Sequence, residues 1–170
     1  MTIGPRVFLD ANVIIRAITF PRFPYELLRH AARGDFIPVL SPLVLDSVRL
    51  YVQELAPGCQ EALEALLVLL DYELAPDPSP DEVIAHAGLV RDAHDIPVAL
   101  AAITAQVDYL VSTDLDFTDV GDTTAELRRH LKPMRVGAFL REVMGWTAEA
   151  LTAVESRRWS DLERPFWEGP

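Results

Sequence analysis

Two aspartates stand where apolar segments of the chain end. Asp10 and Asp114 each directly follow a mainly apolar run, residues 7–9 and 109–113. Unbroken runs of this kind are typical of parallel strands that are covered on both faces. An acid at the end of such a strand lies at the carboxyl edge of an open α/β sheet, where ligands bind. We therefore expect Asp10 and Asp114 to face a functional site from neighbouring strands.

Two more aspartates belong to the beginnings of predicted helices. Asp46 lies about one turn into the helix that Ser41 is expected to cap, and Asp95 precedes the apolar residues of a helix predicted over residues 95–106. In a parallel sheet, the strand ends and the starts of the following helices share one edge. All four aspartates can therefore converge.

The convergence of four carboxylates has a chemical consequence. Mutual repulsion would protonate the acids or push them apart unless cations lay between them. Carboxylate oxygens are the ligands that Mg²⁺ and Mn²⁺ prefer. Two such ions can activate a water molecule and stabilise the leaving oxygen of a phosphodiester. The four acids thus predict a site for Mg²⁺ or Mn²⁺ and a phosphodiester as a substrate.

Each acid also has a purely structural interpretation. Asp10 could cap the helix that follows the first strand, and Asp95 could cap the helix that begins after it, because aspartate is favoured at such positions. Asp46 could be an exposed helical acid, and Asp114 with Asp116 could begin a turn. The joint pattern favours function, since two buried strands that each run into an aspartate are uncommon by chance.

The charge of the chain restricts how it could bind nucleic acid. Its formal net charge is −11 and its pI about 4.7. Bulk attraction to phosphates requires an excess of Lys and Arg, so the sequence argues against a simple nucleic-acid-binding module. It argues less against a metal-dependent nuclease, because bound cations reverse the local charge.

The composition also indicates a compartment. Cys59 is the only cysteine, which excludes an intrachain disulfide and a cysteine-based zinc cluster and is consistent with a reducing cytoplasm. Neither a secretory signal nor an apolar stretch of the roughly 20 residues that a bilayer requires is present in the sequence. We expect a cytoplasmic protein without a membrane segment.

Short buried strands alternate with amphipathic helices along the chain. This order predicts a three-layer α/β/α sandwich around a mostly parallel sheet of four or five strands. The second strand, within residues 35–40, contains Pro38 and is expected at an edge of the sheet or to be irregular. The last strand is predicted over residues 134–136, followed by helices over 138–144 and 147–159.

The segments that contain the acids resemble those of PIN-domain ribonucleases. The resemblance covers about residues 7–143, and residues 108–117, Asp-Tyr-Leu-Val-Ser-Thr-Asp-Leu-Asp-Phe, are its most specific part. The matching blocks are residues 7–13, 41–46, 92–102, 108–117 and 135–140. It implies a PIN-like nuclease domain over residues 1–146. Residues 147–170 lie outside the resemblance, and we expect a C-terminal helix and an irregular tail there, packed on the same domain.

The resemblance also implies an activity, which is metal-dependent endonucleolytic cleavage of RNA. The metal-binding and catalytic acids would be Asp10, Asp46, Asp95 and Asp114. Asp116 would be an additional metal-binding acid, with Asn12 and Ser112 as polar helpers. The expected products carry a 5′-phosphate and a 3′-hydroxyl.

Many proteins of this kind are VapC-type toxins of bacterial toxin–antitoxin pairs. The resemblance therefore implies a homodimer whose acidic groove is blocked by an arginine-containing segment of a cognate antitoxin. The chain departs from the family pattern at two positions, with Asp46 in place of the usual Glu and Ser112 in place of the usual Thr. The shorter Asp46 could weaken the second metal or contact it through water.

Two other functions remain open from the sequence. A phosphatase of the haloacid dehalogenase type also begins with an apolar strand ending in Asp, but it requires a second Asp where this chain has Asn12. It also requires a lysine between its later motifs, and Lys132 is the only lysine here. A catalytically silent PIN-like binding or assembly protein is the second alternative, and Asp46 is the main feature that favours it.

Overall fold

A five-stranded sheet with every strand pair parallel forms the centre of the computed structural model, which describes residues 4–170. The strand order is β3-β2-β1-β4-β5. The strands are β1 (Arg6–Leu9), β2 (Ile37–Leu40), β3 (Glu73–Leu74), β4 (Tyr109–Val111) and β5 (Lys132–Met134). Helices separate the strands along the chain, and the predicted three-layer α/β/α class is confirmed.

Ten α-helices are found in the described part of the chain. They are α1 (Ala11–Thr19), α2 (Phe23–Ala32), α3 (Pro42–Leu55), α4 (Gln60–Leu70), α5 (Pro80–Ala85), α6 (Ile96–Thr104), α7 (Leu115–Thr118), α8 (Ala125–Arg128), α9 (Val136–Glu142) and α10 (Ala148–Val154). Short 3₁₀ turns complete the chain at Pro57–Cys59, Ala93–Asp95, Asp122–Thr124, Trp159–Asp161 and Phe166–Glu168. Between residues 4 and 170, no helix is both long and apolar enough to cross a membrane.

The central strand β1 is the most deeply buried part of the sheet. Val7, Phe8 and Leu9 are each 0% exposed. Leu9 is in register with Val111 of β4, so the two strands end side by side. The adjacent ends place the residues that follow, Asp10 and Ser112, at the same edge. The prediction that Asp10 and Asp114 lie at the carboxyl ends of neighbouring strands is confirmed.

The prediction that Pro38 places its strand at an edge is wrong, because β2 lies between β1 and β3. The backbone N–H of Ile37 donates to Pro5 on the β1 side at 2.9 Å. Successive N–H groups of a strand point to opposite neighbours, so the missing N–H of Pro38 falls on the β3 side. There β3 begins only opposite Val39, so no residue of β3 pairs with Pro38.

The last strand and the helix directly after it begin earlier than predicted. β5 covers Lys132–Met134, not residues 134–136, and α9 already begins at Val136. Pro133 is compatible with this position because β5 is an edge strand. The helix predicted over residues 147–159 ends at Val154, and the chain then continues in turns.

The segment after α10 packs against α1 and α2. Trp159 donates from its indole N–H to the carbonyl of Thr19 at 2.9 Å. The Arg157 guanidinium donates to the carbonyl of Pro21 at 2.7 Å and, at the same distance, to the buried carboxylate of Glu26. Trp167 is 9% exposed. The two tryptophans of the tail are therefore part of this chain's own core packing.

Candidate active site

The side chain of Asp10 is held from several directions at the end of β1. Its Oδ1 accepts a hydrogen bond from the backbone N–H of Ala11 at 2.8 Å, which caps α1. Its Oδ2 accepts from the Ser112 hydroxyl at 2.7 Å and from the Asn12 amide at 3.2 Å. Burial is the main reason that the pKa of Asp10 is raised, and these hydrogen bonds oppose it. Asp10 thus both caps a helix and presents a carboxylate of fixed orientation.

Ser112 and Asn12 connect the ends of the two central strands. Ser112 is fully buried, and its Oγ accepts from the backbone N–H of Asp114 at 2.9 Å while it donates to Asp10. The Asn12 side-chain oxygen accepts from the backbone N–H of Thr113 at 3.2 Å. A hydroxyl and an amide at these two positions therefore fix the spacing between Asp10 and Asp114.

Asp114 is the N-cap of the short helix α7. Its Oδ1 accepts from the backbone N–H of Asp116 at 2.9 Å, as the turn interpretation of this pair expected. Its negative charge raises the pKa of both Asp10 and Asp95, in each case after burial, which is the larger cause for both. Asp114 therefore has a structural role and also contributes charge to the same site.

Asp95 does not cap the helix that it precedes. It ends the turn Ala93–Asp95 with helical backbone angles and makes no capping hydrogen bond with its side chain. Its Oδ2 is buried without a hydrogen-bond partner. Burial first, and then the charges of Asp114, Asp10, Asp92 and Asp116, raise the pKa of Asp95 to about 7. Such a group gains from any cation placed beside it.

Asp92 joins Asp95 and Asp116 in a group of acids, and it is the one member that the sequence analysis did not indicate. Oxygens of Asp92, Asp95 and Asp116 all lie within 4.8 Å of one another. Asp116 Oδ1 is paired with the guanidinium of the exposed Arg91 but accepts no hydrogen bond in proper geometry. Asp92 accepts from the backbone N–H of His94 at 2.9 Å, and this bond lowers the pKa of Asp92. The spacing of Asp92 and Asp95 across one turn is the only sequence signal for the role of Asp92.

Asp46 is not one of the three acids whose oxygens cluster. It is exposed on α3. Five of the acids at this edge interact through Asp95, whose pKa the charges of the other four raise, whereas Asp46 is an exposed acid. Those five are Asp10, Asp92, Asp95, Asp114 and Asp116.

The donor set of the site fits a hard divalent cation. The three clustered acids offer only oxygen ligands, as Mg²⁺ and Mn²⁺ require. Asp95 Oδ2 is a buried acceptor without a donor, which is the state expected of a ligand atom whose partner is a metal. Asp10 and Asp114 adjoin this group through their charges.

Comparison with known proteins identifies the family of this chain. The family model described as PIN domain matches residues 6–116. The chain belongs to the PIN-domain family. The matched region begins with β1 and ends at Asp116, so it contains every acid described above. A search of curated proteins found no match.

Two solved structures share the fold of this PIN-domain chain. One is the crystal structure of VapBC2 from Rickettsia felis bound to a DNA fragment from its promoter. It is 19% identical to this chain, with a TM-score of 0.52, and the match covers 76% of this chain and 98% of that one. The other is PAE2754 of Pyrobaculum aerophilum, with 15% identity and a TM-score of 0.53 over 84% of this chain and 97% of that one. At these identities, the similarity shows a common fold.

Proposed function

We propose that this PIN-domain protein is an endoribonuclease that uses Mg²⁺ or Mn²⁺ to hydrolyse RNA phosphodiesters. The observation that carries the proposal is Asp95, a buried carboxylate oxygen without a donor among four other acids, with a pKa raised to about 7. A fold without a cation at this place would hold that charge at a cost to its stability. Retaining such a group is typical of functional sites.

The residues of the chain have distinct roles in this proposal. Asp95, Asp116 and Asp92 would hold one ion, and Asp10 and Asp114 would face it from the strand ends. When bound, the metal supplies Lewis-acid activation of water and neutralises charge on the phosphate.

The polar residues around the acids prepare the site for substrate. Ser112 and Asn12 fix the orientation of Asp10 through its Oδ2, so little reorganisation is needed when RNA binds. The expected products carry a 5′-phosphate and a 3′-hydroxyl. Asp46 would have the weakest role, as an outer acid for a second ion.

We also propose that the chain is the toxin of a toxin–antitoxin pair and acts in the cytoplasm as a homodimer. Its fold is shared with the VapBC2 structure from Rickettsia felis, which supports a cognate partner. An arginine-containing antitoxin segment would complement the five acids. Light scattering coupled to size exclusion should give the mass of a dimer, and a monomer at all concentrations would contradict this half of the proposal.

The activity is tested with Asp10→Asn. The change keeps the size of a residue that is 9% exposed and removes one negative charge. Purified wild type should cleave RNA only with Mg²⁺ or Mn²⁺, and the variant should lose about 100-fold or more of that rate because a preorganised charge at the reacting centre is lost. Unchanged cleavage by the variant, with contaminating nuclease excluded, would refute the assignment of Asp10.

A catalytically silent PIN-like binding or assembly protein is the second candidate, and the exposure of Asp46 is what favours it. Calorimetric titration with Mn²⁺ separates the two. Binding together with cleavage supports the nuclease, whereas the absence of both supports the silent protein.

A further inference from the structure

A groove beside the acidic site has the opposite charge. It has a volume of about 500 Å³ and lies between the turn that joins α1 to α2 and the beginning of α9. Four arginines line it: Arg16, Arg22, Arg135 and Arg141, and we call it the arginine groove. Glu155 is its one acidic lining residue. In a chain of net charge −11, this concentration of cations needs an explanation.

The cations of the arginine groove are largely unneutralised. Within residues 4–170, the side chains of Arg16 and Arg135 make neither an ion pair nor a hydrogen bond, and both are exposed. Arg22 donates only to a backbone carbonyl, that of Arg157, at 3.3 Å. Arg141 approaches the adjacent Glu142 at 3.4 Å. The groove is therefore ready to attract an anion.

A second basic surface, formed by residues 128–132, differs from the groove because its cationic side chains have partners. Arg129 and His130 pair with Glu126, and Lys132 pairs with Glu142. Arg128 donates to the hydroxyl of Thr124 and to a backbone carbonyl. Its charges already have partners in the fold.

The arginine groove is continuous with the acidic site. Arg16 lies one turn beyond Asn12 on α1, so the two side chains share a face of the helix. Thr113, which lines the groove, donates its backbone N–H to Asn12 and lies between Ser112 and Asp114. A polymer bound at the acids would therefore enter the groove directly.

Aromatic side chains accompany the cations. Phe20 lines the groove and is 46% exposed, and the Arg22 guanidinium lies 4.9 Å from the centre of its ring. Tyr51, 38% exposed, lines a second hollow together with Phe20 and Asn12. Cations that follow a backbone, interleaved with aromatics on which bases stack, are typical of proteins that bind single-stranded nucleic acid.

We infer that the arginine groove binds the phosphates of single-stranded RNA next to the bond that is cleaved, with Phe20 stacking on an unpaired base. Arg16 and Arg135 are the principal phosphate-binding residues. This inference rests on the proposed function for the identity of the cleaved bond, but not for the binding itself. An acidic polypeptide is the rival occupant, and the exposed aromatics favour RNA because a carboxylate chain offers no base to stack.

The test is binding of a fluorescein-labelled single-stranded RNA of about ten nucleotides, measured by fluorescence anisotropy in Ca²⁺ at several salt concentrations. The RNA is checked on a gel for integrity. The variant is Arg16→Gln/Arg135→Gln. The matched control is Arg33→Gln/Arg129→Gln, which removes the same number of charges from exposed residues outside the groove. Circular dichroism establishes that all variants are folded.

The salt dependence gives a quantitative expectation. Each phosphate contact with single-stranded nucleic acid contributes about 0.7 to the slope of log K against log salt, so losing two contacts should reduce the slope by about 1.4. At 0.1 M salt, this corresponds to about 20-fold weaker binding. The control should keep the wild-type slope, and Arg16→Lys/Arg135→Lys should keep most of the affinity because it preserves both charges.

Several results would overturn the inference: no binding of RNA by wild type, an unchanged slope in the glutamine variant, or equal loss in the control. Equal affinity for a duplex of the same sequence would exclude a single-strand path. Poly-glutamate binding with the same dependence on Arg16 and Arg135, without RNA binding, would assign the groove to an acidic polypeptide instead.

The failure of the inference is distinguishable from failure of the proposed function. Groove-dependent RNA binding without metal-dependent cleavage would refute only the activity. Metal-dependent cleavage whose KM is the same in wild type and the glutamine variant would refute only the groove.

Discussion

Replacing Asp95 by Asn should stabilise the metal-free protein at alkaline pH. Asp95 carries a buried carboxylate oxygen without a hydrogen-bond donor, and other acids surround it. Asn has nearly the same shape but no charge to bury. The substitution therefore removes an unfavourable term from the folded state while leaving the backbone turn at Ala93–Asp95 unchanged.

The size of this effect follows from the pKa of Asp95, which rises from 3.8 to about 7 on folding. A difference of one in pKa corresponds to about 1.36 kcal/mol, so the full difference is equivalent to about 4 kcal/mol. Asp95 is only partly buried, and solvent screening reduces the expected effect to about 2 kcal/mol. For a chain of this size, that corresponds to a rise in Tm of about 4–8 °C.

The pH dependence has a definite sign. The folded-state pKa of Asp95 lies above the unfolded value, so its contribution to stability is fully present below about pH 4 and is lost as the pH rises through about 7. Asn does not titrate. The stability advantage of Asp95→Asn should therefore be near zero at pH 4 and reach its full value by about pH 8.

Urea denaturation followed by circular dichroism, in EDTA between pH 4.5 and 8, measures this difference. Asp46→Asn is the matched control, because Asp46 is exposed and the same chemical change there should alter stability by less than about 0.5 kcal/mol. An Asp95→Asn protein that is less stable than wild type at pH 8, or whose advantage does not depend on pH, would refute the reasoning.

The side chain of Asp46 is one methylene shorter than Glu, so Asp46→Glu should keep or raise the rate of Mn²⁺-dependent cleavage if Asp46 holds a metal. Equal cleavage rates for Asp46→Glu and Asp46→Ala would show that Asp46 is only a surface acid. Mn²⁺ at 100 times its Kd should stabilise wild type by about 2.7 kcal/mol in thermal denaturation, and an equal gain in Asp10→Asn would contradict the metal site. Arg157→Met should lower the free energy of unfolding by about 3 kcal/mol, because it leaves the carboxylate of Glu26 buried without its closest cation. Urea titration measures this change, and Arg158→Met, at an exposed residue, is the neutral control. If neither variant changed the midpoint of urea unfolding, residues 147–170 would add little to the stability of residues 1–146.

The strand ends could be predicted from the sequence because the rule that places them is local. An unbroken apolar run has to be buried, and the acid that ends it has to leave the sheet at the carboxyl edge. Asp10 and Asp114 each satisfy this rule within a few residues. Their proximity then follows from the pairing of β1 with β4.

Asp92 could not be found in this way. Its proximity to Asp95 and Asp116 depends on a 3₁₀ turn at Ala93–Asp95 that no periodic pattern announces. The same turn explains why Asp95 fails to cap α6, although aspartate before a helix usually does. It gives Asp95 helical backbone angles and directs its side chain elsewhere.

The other features that could not be predicted from the sequence depend on long-range packing. Pro38 is tolerated inside the sheet because β3 is too short to face its missing N–H, and the length of β3 is not evident from Pro38. The position of Trp159 depends on a carbonyl 140 residues earlier, that of Thr19. Neither relation leaves a trace in local sequence.

The contacts of the tail with the α1–α2 turn couple two distant parts of the chain mechanically. Arg157 and Trp159 hold the carbonyls of Pro21 and Thr19, on either side of Phe20. The wall of the arginine groove is thus held in place by the same segment that contributes Glu155 to its lining. Cleavage of the backbone after Val154 would remove these contacts and leave the acids at the strand ends in place. A protease would thereby weaken the binding of a polymer in the groove without changing the catalytic acids.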